Sequence, residues 1–333
     1  MTTEHPFAQY VRILGKGKNG SRSLTMDEAY RSMSMILANE ITPEQLGAFL
    51  MLLRVKEETP EEVAGFVKAV RESINVPTDM PAIDLDWSSY AGKKRQLPWY
   101  MLATLLLAEN GITTFIHGAS GHTPGRLYTR EIIHKFGLKN CTNMEEVKQS
   151  IVENNVAYMD IEYLSPQMYK IIELRPILGL RSPVHTVSRM LDPFNADYVI
   201  QGIFHPGYRP IHQEAALLLD MKHVAVVKGD GGEIERNPDM VCLVQSVHDG
   251  AMSEEEWPAI FSKRHMRDDN LNPDRLPGIW NGTISDEYGK AAITGTVAIT
   301  LKLMGRANSM DDALSQAGIM WDSRTKNRFG TAA

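Results

Sequence analysis

Three helix-start signatures stand in close succession near the head of this chain, and they fix what its first part can fold into. Thr25 with Glu28, Thr42 with Gln45 and Thr59 with Glu62 each set a hydroxyl three residues before an acid or amide. At that spacing the hydroxyl accepts from the backbone at N3 while the N3 side chain reaches back, so each pair starts a helix. Pro43 and Pro60 then take the first helical position, where a missing N–H costs nothing. Apolar residues continue at helical spacing: Met26, Ala29, Tyr30 and Met33, then Leu46, Phe49, Leu50 and Leu53, then Val63, Phe66, Val67 and Val70. Short connections between such helices predict antiparallel neighbours in a small bundle. The Met and Phe stripes serve as its core or as a dimer interface.

Between Asn75 and Ala82 prolines and polar residues break this pattern, and the chain beyond Ala82 alternates strands with helices. Candidate strands are Ile83 to Trp87, Ile112 to Ile116, Val156 to Ile161, Tyr198 to Phe204, His223 to Val227 and Val241 to Val247. The alternation predicts an α/β chain: a small N-terminal helical bundle plus a large domain with a mainly parallel sheet flanked by helices. Residues 1–76 form the helical unit, joined by helices around 165–190; residues 80–164 and 191–333 form the α/β domain.

Composition narrows the function classes. The 333 residues are 43% hydrophobic and 23% charged, which is ordinary for a folded soluble protein. A net charge of −6 excludes a chain coated in positive charge, so any nucleic-acid contact requires a local basic surface. Cys141 and Cys242 offer neither a CxxC pair nor a disulfide framework. Together with the lack of a signal-peptide pattern at the N-terminus, this points to the cytoplasm. The longest apolar run, near Leu102 to Ala108, is too short to span a bilayer, so no membrane partner is expected.

Chemistry is expected in the loops at the carboxyl ends of the strands. After the first strand come Lys93, Lys94 and Arg95, just before a helix from Trp99 to Asn110. Three cations beside a helix N-terminus suit a docked phosphate; they equally suit a solvated turn. After the second strand, His117, Gly118, Ser120, Gly121, His122, Thr123, Gly125 and Arg126 suit close approach to an anion, or else tight turns with surface histidines. After the fifth, Asp230, Glu233 and Glu235 beside glycines either hold Mg²⁺ or form an exposed hairpin. A further basic stretch carries Arg12, Lys16, Lys18 and Arg22 with no acid. Its glycines mark a flexible loop that contacts phosphate or is merely solvated. Trp87, Tyr90, Trp99 and Tyr100 flank the basic triplet and either stack bases or belong to the core.

This order of pieces resembles anthranilate phosphoribosyltransferase over most of the chain. The resemblance is strongest at His117-Gly118 and at Arg175 to Arg181, with Leu191 to Ala196 echoing the family's Leu-x-Asn-Pro turn. It implies a helical domain and an α/β domain assembled as a homodimer. Departures fall on the phosphate machinery. The family's Gly-Thr-Gly-Gly-Asp becomes Ser88-Ser89-Tyr90-Ala91-Gly92, and its Asn-x-Ser-Thr becomes Pro98-Trp99-Tyr100-Met101. Its Lys-His-Gly-Asn-Arg becomes Ile116-His117-Gly118-Ala119-Ser120, and its Asp-Glu metal pair becomes Ile234-Glu235.

Losing those groups removes the charge stabilisation that a diphosphate leaving group needs. The pattern looks like divergent homologues that bind nucleic acid. The expected ligand is therefore single-stranded nucleic acid or another polyanion, held by Lys93, Lys94, Arg95, His117, Gly118, Arg12, Lys16, Lys18 and Arg22, with no cofactor required. The alternative is a transferase with phosphoribosyl diphosphate in a rebuilt site, Mg²⁺ on Glu235 and Arg175 holding the acceptor's acid group; no catalytic residue is assigned.

Overall fold

A computed structural model describes residues 4–121, 123–266 and 271–329. Behind a short first helix, α1 (Ala8–Gly15), the three capping boxes open α2 (Met26–Leu37), α3 (Pro43–Lys56) and α4 (Pro60–Ser73). In each box the threonine accepts from the backbone at N3, and the N3 side chain accepts from the threonine N–H. The large domain then runs β1 (Leu85–Ser89), α5 (Trp99–Glu109), β2 (Thr114–Gly118), α6 (Thr129–Ile132), β3 (Asn140–Cys141), α7 (Met144–Asn154) and β4 (Val156–Asp160). Short helices α8 (Ile161–Leu164), α9 (Pro166–Ile172), α10 (Arg175–Leu178) and α11 (Val184–Val187) come next. The chain returns through β5 (Tyr198–Ile203), α12 (Tyr208–Leu218) and β6 (His223–Lys228), adds β7 (Cys242–His248) and β8 (Ala251–Trp257), and closes with α13 (Arg275–Asn281), α14 (Glu287–Leu303) and α15 (Met310–Ser323).

The strands form one sheet in the order β3-β4-β2-β1-β5-β6-β7-β8. Pairing is parallel from β3 to β6 and antiparallel for β7 and β8. The protein is an N-terminal helical bundle domain plus a large α/β domain, as the alternation predicts. Two strands escape that pattern: β3 has only two residues, and β8 is a largely exposed edge whose three consecutive glutamates carry no apolar signal.

Alternate residues of each strand feed opposite faces of the sheet. Leu85, Trp87, Ile116 and Val227 share a core with α5, α14 and α15. Phe115, Met159, Val199 and Val226 share the other core with the bundle, α9, α11 and α12. Helix α5 is buried all round from Trp99 to Ala108, as a sequence apolar but for Thr104 requires, and the Thr104 hydroxyl donates to the Met101 carbonyl. Arg71 of α4 ties the bundle to the approach to β5, donating to the carbonyls of Leu191 at 2.5 Å and Met190 at 3.1 Å.

Candidate functional site

From β1 the chain winds outward through β2 to β4, then crosses back to place β5 on the other side of β1. That reversal makes the crevice beyond the carboxyl ends of β1 and β5 the natural ligand position in such a sheet. The loops after β1, β2, β5 and β6 surround it.

The loop after β1 is filled from within the protein. Glu233 is fully buried, and its Oε1 accepts from the backbone N–H groups of Ala91 and Gly92, each at 2.6 Å. Glu235 Oε2 accepts from the Tyr100 N–H at 2.9 Å, so the free amides at the start of α5 meet a carboxylate. Its other oxygen lies 2.5 Å from Lys93 Nζ, and Asp230 Oδ2 is 3.7 Å from the same ammonium. The segment after β6 lies hard against the loop after β1. A Cβ on Gly231 (φ +70°) would stand 2.9 Å from the Gly92 carbonyl oxygen and 2.7 Å from Arg126 Nη1. Burial pushes the Glu233 carboxyl up against the opposing pull of the Gly92 and Ala91 amides. It pushes Glu235 up against the pull of Lys93.

Beneath this loop His117 joins two buried partners: its Nε2 lies 3.1 Å from Asp86 Oδ1 and its Nδ1 2.7 Å from the Tyr90 hydroxyl. Burial drives the Tyr90 and Tyr100 phenols well above their ordinary range. Above the loop, arginines converge. Thr123 Oγ1 accepts from Arg175 Nη1 at 2.7 Å and from Arg181 Nη2 at 3.1 Å. Arg126 Nη1 donates to the Ala91 and Gly92 carbonyls at 2.8 and 3.2 Å. Burial, then repulsion from Arg175, Arg189 and Arg126, lowers Arg181 to about 10. Three guanidinium neighbours around a partly buried one concentrate positive charge, an arrangement suited to an anion.

Several sequence expectations need correction. Lys93 is not a surface phosphate contact; it is 1% exposed because it neutralises Glu235, while Lys94 and Arg95 remain exposed. His117 is wholly buried in its Asp86–Tyr90 contact and does not face a ligand. Gly118 ends β2 against β1, where a Cβ would meet the Ser89 carbonyl oxygen at 2.1 Å, so its glycine serves strand packing. Glu235 is committed to Lys93 and Tyr100, and among the described residues no group of three His, Cys, Asp or Glu is placed to hold a metal ion. Both oxygens of Glu235, the carboxylate expected to hold Mg²⁺, are thus engaged within the protein. Trp87, Tyr90, Trp99 and Tyr100 are all core residues. Arg12 lies on α1 and pairs with Glu4; Arg22 pairs with Glu28 at 2.6 Å. Lys16 and Lys18 are exposed. Arg175 stands in the arginine group. The structure does not set the stretch from Arg12 to Arg22 into the crevice through any contact among the described residues. His122 lies outside the described residues.

Two groups at the crevice hold places in the structure that the sequence reading does not give them. Glu233 reads there as one of a set of metal-binding acids, although an acid beside glycines after a central strand also suits capping a neighbouring loop's amides. Arg189 carries no signal, since its role comes from the fold around it.

The first part of the chain, residues 9–74, matches the helical bundle domain of the glycosyl transferase family. An anthranilate phosphoribosyltransferase of Beijerinckia indica is 26% identical over 307 residues, spanning 91% of this chain and 84% of that protein. The crystal structure of anthranilate phosphoribosyltransferase from Thermus thermophilus superposes with a TM-score of 0.79 at 20% identity, over 96% of this chain and 95% of that one. The chain is similar to anthranilate phosphoribosyltransferases over most of its length and shares their fold. An uncharacterized protein of Aquifex aeolicus is 29% identical over 321 residues, covering 94% of this chain and 97% of its own length. Within the family frame, the arginine group and the filled loop occupy the rim where the strands end. Among the described residues no helix is long and apolar enough to cross a membrane.

Proposed function

We propose that this protein binds a polyanion, single-stranded nucleic acid, and that its phosphoribosyl diphosphate site is closed by its own carboxylates. One observation carries the reading: the arginines Arg126, Arg175, Arg181 and Arg189 gather beside a loop whose amides already hold Glu233. A diphosphate would have to displace Glu233 or lie against it. At about 4 Å, two like charges in such a setting repel by roughly 4 kcal/mol per pair. Mg²⁺, which the resemblance implies for transfer, would find Glu235 bound to the Lys93 ammonium instead. These arginines are partly buried, while Lys94 and Arg95 on the loop after β1, and Lys16 and Lys18 elsewhere, are exposed.

The same reading takes the protein as a homodimer through the helical bundle, with α9 and α11 belonging to that unit because α11 packs on α4 and on α9. The test is binding of an oligothymidine across a salt series. Each neutralised phosphate contributes a slope of about −0.7 in log K against log salt. The double variant K94A/R95A is expected to flatten that slope at unchanged melting temperature. An unchanged affinity and slope would return these residues to a solvated turn.

A further inference from the structure

We propose that the cleft between the bundle and the turn joining β5 to α12 reads one base of the bound strand, taking a guanine against Phe204 with its donors on Glu58. This rests on the polyanion reading above and adds a place where sequence is sensed. The cleft, open to solvent, is lined among others by Arg54, Glu58, Arg181, Ser182, Phe204 and Tyr208.

Its wall is built for a ligand. Glu58 is 4% exposed; Oε1 takes the Thr186 hydroxyl at 2.9 Å, while Oε2 is buried with no partner among the described residues. Ser182, 6% exposed, likewise leaves its hydroxyl buried and unmatched among the described residues. Buried polar atoms left unpaired are rare enough to require an explanation, and a ligand edge supplies one. A carboxylate only accepts, so that edge must donate. Guanine alone among the bases presents a ring N–H beside an exocyclic amino group; adenine flanks its amino group with acceptors, and thymine has none. An aromatic acid is disfavoured, because its carboxylate would meet Glu58.

The remaining groups suit a nucleotide. Phe204 is 48% exposed at the cleft mouth, its ring 4.8 Å from that of His205, and offers a face for stacking. Arg181 and Arg189 stand on the same lining to meet the phosphate.

The experiment compares an oligothymidine with the same strand carrying one central guanosine, on the wild type, E58Q and F204A. The guanosine is expected to tighten wild-type binding roughly tenfold, the scale of a well-made paired contact to a base. E58Q should abolish that gain while leaving oligothymidine affinity and its salt slope unchanged; F204A, at an exposed position, should reduce the gain without lowering the melting temperature. Equal binding of the two strands by the wild type, or a preference that survives in E58Q, overturns the inference and leaves the polyanion reading standing. Failure of both strands to bind overturns the polyanion reading itself.

Discussion

Lys93 shows how a residue read from its neighbours in sequence can have a different role in space. Its position within a basic triplet suggests a phosphate contact, yet its partner Glu235 lies far along the chain and is brought to it by the turn after β6. No local pattern announces such a pair. Removing one member of a buried pair strands the other, at a cost of about 3–5 kcal/mol. K93M is therefore expected to lower urea-unfolding stability by that order, and K93M/E235Q to recover much of it, since glutamine still accepts from the Tyr100 N–H. Additive losses in the two single variants and the double variant would deny the coupling. Asp192 gives a second check. Burial and the neighbouring Asp86 raise its carboxyl from 3.8 to about 7. Between those values the folded protein holds a proton that the unfolded chain releases, so its contribution to stability falls as pH rises through the window, by at most about 1.4 kcal/mol per pH unit. D192N, which keeps an acceptor for the Ala196 N–H, is expected to show a shallower loss of melting temperature across that range. Parallel curves for the wild type and D192N would contradict the assignment.

At the scale of elements, legibility tracks locality. The capping boxes at Thr25, Thr42 and Thr59 are readable because both partners lie within one turn of chain. The buried strands are readable because each is a short apolar run between helices, whereas β8 is not, because an exposed edge tolerates Glu254, Glu255 and Glu256. The site is only half legible: loop positions at the strand ends come from topology, but which cations are buried depends on the distant segment that covers them. Helices α1 and α3 also leave apolar surface that the bundle does not cover; Val55 is 83% exposed, and Ala8, Val11 and Ala48 line a shallow groove. A second copy would cover it. Sedimentation at micromolar concentration is expected to give a dimer, and V55D to shift it toward monomer. A monomeric wild type would contradict the assembly.

For the whole molecule, the net charge of −6 sets the frame: the proposed polyanion binding requires a local field against an opposing average. The family fold supplies a rim where strand ends and helix starts favour anions. In this chain Glu233 and Glu235 hold the amides of that rim, at the loop after β1 and at the start of α5. Ligands that need those amides and ligands that need only positive charge should thus separate cleanly. The direct measurement is paired calorimetry on the intact protein, titrating a single-stranded oligonucleotide in one cell and phosphoribosyl diphosphate with Mg²⁺ in the other. Salt-sensitive heat with the oligonucleotide, and none with the diphosphate, is the expected result; tight diphosphate binding with turnover of anthranilate would contradict it.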